Sequence, residues 1–269
     1  MKKFITQKQT RYKLITIGLF LSIGLYAGEL EDDIKLCTDG DIVSCYNLGI
    51  DYRDGIGTAP NNQKAIKYFQ MACDNKLVEG CYNVGIHHLN GLGVKQNTNK
   101  AKSYFEKACN NNYGMACYVL GVLEVKGDKD FKKMDRYFTK ACDLDNAEGC
   151  KMLGLLYHDE KMEHVNMSKA VSFYKKACSL GDILSCNNMG TFYENGTEVK
   201  KDLNKARELY TKACESGDAS GCSNLGSLYA IGIGVKRDIP TAIKLFKKAC
   251  DGGSPKGCEG YNVFKKGAK

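Results

Sequence analysis

The sequence predicts an all-α solenoid of helix-turn-helix repeats, and three periodic features of the 269-residue chain lead to this fold class. The fourteen cysteines form seven pairs, each with a spacing of eight residues. Glycine and alanine positions keep the same phase as the cysteines. Residues that cap helix N-termini recur in the same phase. Repeats of this kind are typical of helical arrays, in which each unit buries its apolar face against its neighbours.

The cysteine pairs set the period. The first cysteines of successive pairs are 36 residues apart in five of six intervals, and 33 apart between Cys109 and Cys142. Within each pair one cysteine ends a helix and the other begins the next, so we predict a local disulfide that closes a ring of about nine residues. Zinc ligand pairs are usually only about two to four residues apart, so we predict no metal site. The predicted bridges join Cys37 with Cys45, Cys73 with Cys81, Cys109 with Cys117, Cys142 with Cys150, Cys178 with Cys186, Cys214 with Cys222, and Cys250 with Cys258.

Each repeat contains two predicted helices, here called helix A and helix B. Helix A has a glycine four residues after the second cysteine, and this small residue allows a neighbouring helix to approach closely. Helix B has an aromatic residue between two alanines and ends at the next cysteine pair. Predicted N-cap residues of helix B are Asn61, Asn97, Asp130, Asn166, Asp202 and Asp238. In the short repeat we expect the three missing residues to come from the turn around 125–129, with both helices intact.

The first 27 residues predict a secretory signal peptide. A basic segment with five Lys or Arg residues precedes an apolar run at 14–26, and Ala27 precedes the predicted cleavage point. This run is shorter than the roughly 20 residues that span a bilayer, so we expect an exported protein, secreted or periplasmic, without a membrane span after cleavage. The rest divides into an N-terminal cap at 28–44, six repeats at 45–257, and a C-terminal cap helix and tail at 258–269.

The charge of the mature chain argues against nucleic acid as a partner. The whole chain has 39 basic and 31 acidic residues, but five of the basic ones lie in the signal peptide, which leaves 34 against 31, a net charge of +3. So small a charge gives no basic surface of the kind that binds phosphate backbones.

Three segments resemble Sel1-like repeats, which are related to the tetratricopeptide repeat: Cys-Tyr-Asn-Leu-Gly at 45–49, Lys-Ala-Lys-Ser-Tyr-Phe-Glu-Lys-Ala-Cys at 100–109, and Cys-Ser-Asn-Leu-Gly-Ser-Leu-Tyr at 222–229. The cysteine pair in every unit is similar to that of the Helicobacter cysteine-rich proteins, a secreted family. The resemblance covers about 37–258 and implies a right-handed superhelix with helix A on its concave side. It also implies penicillin binding or slow β-lactamase activity, and interaction with host cells.

The residues themselves offer little support for catalysis. A serine β-lactamase uses Ser-x-x-Lys on a helix, and the chain has one match that includes Ser172 and Lys175. The same positions vary freely in the other B helices, and neither Ser-Asp-Asn nor Lys-Thr-Gly is present, so we interpret the match as accidental. The catalytic residues stay unknown, with these two as the candidates. We expect ordinary surface roles for His87, His88 and the other histidines, which show no zinc-binding spacing, and we predict no cofactor.

A recurring polar position on helix A is the better functional signal. Asparagines lie two residues after the second cysteine in four repeats, while Val119, Met152 and Gly260 break the series. Resemblance to tetratricopeptide arrays implies that such asparagines hold an extended peptide, because an amide both donates and accepts hydrogen bonds. The alternative is that they bond to neighbouring helices and keep the repeats in register. The predicted ligand groove comprises Tyr46, Asn47, Tyr82, Asn83, Asn187, Asn188 and Asn224.

Two functions follow. The first is a monomeric scaffold that binds a peptide, a cell-wall fragment or a host protein. The second is a β-lactamase that hydrolyses penicillin and cephalosporin derivatives as its main activity. Physical reasoning favours the scaffold, because the sequence shows no cluster of nucleophile, base and oxyanion donors.

Overall fold

The computed structural model describes residues 23–127, 129–159 and 164–267, and its fourteen elements in this part of the chain are all α-helices. This confirms the all-α class. Most of the predicted signal peptide lies outside the described residues. The helices are α1 (Ile23–Thr38), α2 (Ile42–Asp54), α3 (Asn62–Asp74), α4 (Val78–Asn90), α5 (Thr98–Asn110), α6 (Gly114–Lys126), α7 (Phe131–Asp143), α8 (Ala147–His158), α9 (Met167–Ser179), α10 (Ile183–Asn195), α11 (Leu203–Glu215), α12 (Ala219–Ile231), α13 (Ile239–Asp251) and α14 (Pro255–Gly267).

Helices α2 to α13 alternate between A and B, and each consecutive A and B pair forms one repeat. The chain divides into two compact units, Met1–Ala116 and Cys117–Lys269. In the first unit, helices α2 to α5 bury Leu48, Phe69 and Phe105 completely. In the second unit, Phe138 and Tyr174 are equally buried. No helix among the described residues is both long and apolar enough to cross a membrane.

The six predicted N-cap residues of the B helices are confirmed. Asn61, for example, accepts a hydrogen bond from the backbone amide of Lys64 at 3.0 Å. Four A helices are capped in the same way, which the sequence analysis did not predict. Such caps contribute about 1 kcal/mol each. The additional caps are Asp41, Asn146, Asp182 and Asp218.

The short repeat keeps both of its helices. Helices α6 and α7 have 13 residues each, the same length as α2 and α3 in the first repeat. The connection between helices A and B spans 127–130 in the short repeat and 55–61 in the first. The missing residues therefore come from the turn, as predicted.

Disulfides join the end of each B helix to the start of the next A helix. Six of the predicted pairs have Cα atoms 4.4 to 4.7 Å apart, and Cys109 and Cys117 are disulfide-bonded as well. No cysteine in the described part of the chain is free. The prediction of one bridge per repeat is confirmed, and each bridge fixes the return from one repeat to the next. The six bridges with these Cα distances join Cys37 with Cys45, Cys73 with Cys81, Cys142 with Cys150, Cys178 with Cys186, Cys214 with Cys222, and Cys250 with Cys258.

A glycine of helix A lies against the aromatic ring of helix B in every repeat. A Cβ atom placed on Gly49 would lie 2.5 Å from the ring of Phe69, and one on Gly190 would lie 2.5 Å from the ring of Tyr210. Cβ atoms do not come this close to another atom, so only glycine fits at these two positions. The six rings are at most 3% exposed: Phe69, Phe105, Phe138, Tyr174, Tyr210 and Phe246.

Replacing Gly190 with alanine should lower the free energy of unfolding by about 2 kcal/mol, because the overlap with Tyr210 outweighs the higher helix propensity of alanine. Gly226→Ala is the matched control, since its Cβ would lie 3.1 Å from Phe246. There the gain in propensity offsets the tighter contact, and stability should stay within about 1 kcal/mol of the parent. Urea unfolding of the oxidised proteins, followed by circular dichroism, measures both values. Equal losses would contradict the proposed ring contact.

Candidate functional site

All predicted groove residues lie on A helices, but they differ in burial. Asn83 and Asn187 are only 8% and 9% exposed. Asn47, Asn188 and Asn224 are half-buried and reach the surface. The first two repeats and the later ones belong to different compact units, so each unit has its own surface.

In the first unit, Asn83 joins neighbouring helices. Its Nδ2 donates to the hydroxyl of Tyr46 at 3.3 Å and to the carbonyl oxygen of Glu79 at 2.9 Å, and its Oδ1 accepts from Arg53 Nη1 at 3.3 Å. A buried amide with these partners keeps the repeats in register, and its loss costs about 1–3 kcal/mol. For Asn83 the structure therefore supports the register alternative and not the ligand groove.

Asn47 has the opposite environment on the same unit. Its side chain makes no hydrogen bond to another described residue, so both its oxygen and its amino group are available. The rings of Tyr46 and Tyr82 pack against Phe69 and Phe105, with centroids 5.6 and 5.7 Å apart. Burial raises the pKa of Tyr46, so its hydroxyl stays protonated. These two tyrosines are thus packed parts of the helix A surface.

In the second unit, three polar side chains form a ladder across successive helices. Asn224 Nδ2 donates to Asn187 Oδ1 at 3.0 Å, and Lys256 Nζ donates to Asn224 Oδ1 at 3.2 Å. Asn224 keeps a second amide hydrogen, and the amino group of Asn187 has no hydrogen bond to another described residue. Amide donors beside an ammonium group suit carbonyl and carboxylate oxygens. Asn187, Asn224 and Lys256 are called the polar ladder below.

Asn188 is half-buried and lies near the buried hydroxyl of Tyr174. This hydroxyl is 3.3 Å from Nδ1 of His158. Burial raises the pKa of Tyr174 well above its usual value, and the nearby amide of Asn188 offsets only part of this shift. The hydroxyl therefore stays neutral, and the amide of Asn188 stabilises a buried polar atom while its half-exposed edge faces solvent.

Where Met152 breaks the asparagine series, an ion pair takes over. Lys151 lies one residue after its cysteine, as Asn187 does, and its Nζ is 2.8 Å from Asp182 Oδ2. Burial alone would raise the pKa of Asp182, but hydrogen bonds from Lys151 and Ser185 outweigh it and lower the pKa. The helix A surface of this unit is therefore polar at the predicted interruption, which the asparagine pattern alone did not show.

Ser172 and Lys175 lie on the exposed face of α9. The hydroxyl of Ser172 makes no hydrogen bond to another described residue, and neither does the ammonium group of Lys175. A serine nucleophile is activated by a base within hydrogen-bond reach. The geometry therefore gives Ser172 no activated oxygen, and Lys175 instead lines a recess between two B helices.

His87 is buried on α4, which contradicts its expected surface role. It is 1% exposed, its Nδ1 donates to the carbonyl of Leu92 at 2.8 Å, and its ring meets the edge of Phe69 at 5.5 Å. Burial lowers its pKa, so the neutral ring is favoured. The equivalent position is apolar in four other repeats and Asp51 in the first, and this mostly apolar series was the signal that could have predicted burial: Leu123, Leu156, Phe192 and Leu228. Among the described residues, no group of His, Cys, Asp and Glu could hold a metal ion.

A pH titration of stability tests this assignment. Because folding lowers the pKa of His87, its stabilising contribution is present above the unfolded value of about 6.5 and is lost as pH falls through the folded pKa. His87→Leu should lower Tm at neutral pH by a few degrees, through the lost bond of about 1 kcal/mol to Leu92. It should also reduce the fall in Tm on acidification, although His88, whose pKa is also lowered, retains part of that fall. An unchanged pH slope would show that His87 is not the titrating group.

The Sel1 repeat family model matches six segments, at 42–77, 78–113, 114–146, 147–182, 183–218 and 219–254. Each segment contains one A helix and one B helix. A comparison with curated proteins gave no match.

Several solved structures are similar to the chain. One is c5321, a protective antigen of uropathogenic Escherichia coli with an SLR fold, with a TM-score of 0.77 and 24% identity over 88% of this chain and 56% of that chain. The present chain thus spans little more than half of that protein. A Sel1 repeat protein from Oxalobacter formigenes has a TM-score of 0.69 and 24% identity over 82% of this chain and 99% of that one. Helicobacter pylori cysteine-rich protein B is 40% identical over 49% of this chain and 96% of its own, with a TM-score of 0.40. At their level of identity, the first two show the fold alone.

Proposed function

The chain belongs to the Sel1 repeat family, and we propose from this premise that it is an exported binding protein that holds an extended peptide along its A helices. The peptide comes from another protein or from a cell-wall fragment. The polar ladder of the second unit is the observation that carries this proposal. It supports the proposal because it places amide donors with spare hydrogen-bonding capacity beside a surface lysine.

The ladder can hold a peptide through its backbone. The unused hydrogens of Asn187 and Asn224 can donate to successive carbonyl oxygens, and Lys256 can pair with a terminal carboxylate or an acidic side chain. Because backbone groups are common to all peptides, this contact gives affinity without strong sequence selection. On the first unit, Asn47 offers the same type of group.

Export agrees with the cysteine chemistry. Every cysteine in the described part of the chain is disulfide-bonded, and such bridges persist in oxidising compartments. We propose that cleavage after Ala27 releases a mature protein in which 28–44 caps the first repeat and 258–269 caps the last.

The ladder can be tested on the exported, oxidised protein with a panel of extended peptides and muropeptide fragments. Asn224→Ala should weaken the best ligand about fivefold to tenfold, because it removes hydrogen bonds worth about 1 kcal/mol each. Asn204→Ala removes an exposed amide from helix B and is the matched control, with affinity unchanged. Thermal unfolding of each variant separates binding from stability. A large stability loss in Asn224→Ala with intact affinity would assign the ladder to register alone, and no binding to any panel member would refute the proposal.

Replacing Ser172 with alanine tests the enzymatic alternative. Since its hydroxyl lacks an activating contact, any β-lactam turnover should stay within about threefold of the parent, whereas an active nucleophile contributes several powers of ten. The assay uses a chromogenic cephalosporin and the oxidised protein. Near-complete loss of turnover in a folded variant would make Ser172 the nucleophile.

A further inference from the structure

An open recess of about 370 Å³ lies between two consecutive B helices, α9 and α11, with α10 beneath it. Its floor is apolar and includes Met189, Tyr193 and Leu209. Its rim is charged and includes Lys175, Lys205, Glu208 and Lys212. The volume is within the range of small-molecule sites, about 300–1,000 Å³. The recess lies within the second unit and shares no residue with the polar ladder.

The recess lies in one of the two repeats that have leucine instead of a ring at one position of helix B. Five residues before the first cysteine, four B helices have an aromatic residue, and in the first, second and fourth repeats it stacks on a ring of helix A. The stacked pairs are Tyr52 and Tyr68 at 5.6 Å, His88 and Tyr104 at 5.8 Å, and Tyr157 and Phe173 at 5.9 Å. Leu209 and Leu245 hold this position in the fifth and sixth repeats. In the fifth repeat no ring of helix B stacks on Tyr193, which lines the recess.

Two lysines at the rim have no partner among the described residues. A lysine lies two residues before the first cysteine of most repeats. Its ammonium group usually donates to a backbone carbonyl of the preceding repeat, that of the first cysteine, as Lys176 does at 2.7 Å and Lys248 at 2.8 Å. Lys212 has the equivalent position but makes no hydrogen bond or ion pair with another described residue, and the same holds for Lys175. Lys205 lies over the ring of Tyr193, 5.2 Å from its centroid. The recess therefore combines an apolar floor with uncommitted positive charge.

We propose that this recess binds a small amphiphilic anion, in which one carboxylate, sulfonate or phosphate group is attached to a flat apolar body. The body replaces the missing ring against Tyr193 and Leu209, and the anionic group pairs with Lys175 and Lys212. Lys205 is 3.8 Å from the carboxylate of Asp202, so the uncommitted positive charge at the rim comes from Lys175 and Lys212, which attract an anion. The carboxylate of Glu208 disfavours ligands of higher charge, so a monoanion fits best.

Anilinonaphthalene sulfonate is the probe, since it joins flat rings to one sulfonate. Its fluorescence on titration of the folded, oxidised protein should show saturable binding at one site. Phenylnaphthylamine, which lacks the sulfonate, should bind at least about tenfold more weakly, because its contact with the floor is similar but it has no charge for the lysines.

Leu209→Phe restores the ring found at this position in other repeats and should weaken the probe at least about tenfold by filling the recess. Leu245→Phe is the matched control, because Leu245 holds the same position on α13 and does not line the recess. It should change affinity less than about twofold. Unchanged binding by a folded Leu209→Phe variant, or equal loss in both variants, would overturn the proposal.

Variants that change the charge of the rim test the anion site independently. They remain informative if the Leu209→Phe variant does not fold. Lys175→Gln and Lys212→Gln should each weaken the probe about fivefold, while Glu208→Gln should strengthen it. Lys247→Gln removes the same charge at the position equivalent to Lys175, where Lys247 pairs with Asp251 at 2.7 Å, and should have no effect. Equal losses in all three lysine variants would indicate non-specific attraction and refute the site. Because no residue is shared with the polar ladder, such a failure leaves the peptide proposal standing.

Discussion

The contact between the helix A glycine and the helix B ring is the constraint on which the rest of each repeat depends. At Gly121 a Cβ atom would lie 2.4 Å from the ring of Phe138, so the helices approach as closely as their backbones and the ring allow. A second close approach lies at the return between repeats, where a Cβ on Gly221 would lie 2.6 Å from that of Ala213. The disulfides cross this same return. Helix α12 is therefore fixed against two B helices, against one through an aromatic ring and against the other through small residues and a covalent bridge.

Positions outside these contacts differ between repeats, but a residue of helix A and the residue of helix B that contacts it still form an attractive pair in several repeats. Seven residues after the second cysteine, Tyr52 and Tyr157 each have a lysine ammonium over the ring, at 4.7 and 4.6 Å. In the third repeat Glu124 holds this position, and Lys133 from the equivalent place on helix B lies 4.0 Å from its carboxylate. The lysine thus keeps an attractive partner when the ring is replaced. In the fifth repeat Leu209 stands where three other B helices have a stacked ring, and Tyr193 beside it lines the recess.

The features that the sequence predicted correctly are local. An N-cap such as Asn61, a disulfide between cysteines eight residues apart, and a turn that absorbs a deletion depend on neighbours along the chain. The burial of His87 was not predicted, and the two alternatives for Asn83 could not be separated, because helix A packs against helices on more than one side. Spacing along helix A does not tell which polar position is covered. The burial of Asn83 depends on Tyr46 and Arg53 from the preceding repeat. The recess is likewise a property of two repeats, although leucine in place of a ring was visible in the sequence.

The hydrogen bonds that keep the repeats in register also determine which polar groups of the A helices are available to a ligand. Asn83 uses its hydrogen-bonding groups on adjacent helices, and Asn188 supports the buried hydroxyl of Tyr174. Binding capacity remains only where such bonding is incomplete, as at Asn187 and Asn224 in the second unit. Because the bond between these two amides fixes their orientation, their unused donors are held in place before a ligand arrives, which reduces the entropy lost on binding. Under the proposed function, the hydrogen bond that joins two repeats also orients the donors that a peptide would meet at the polar ladder.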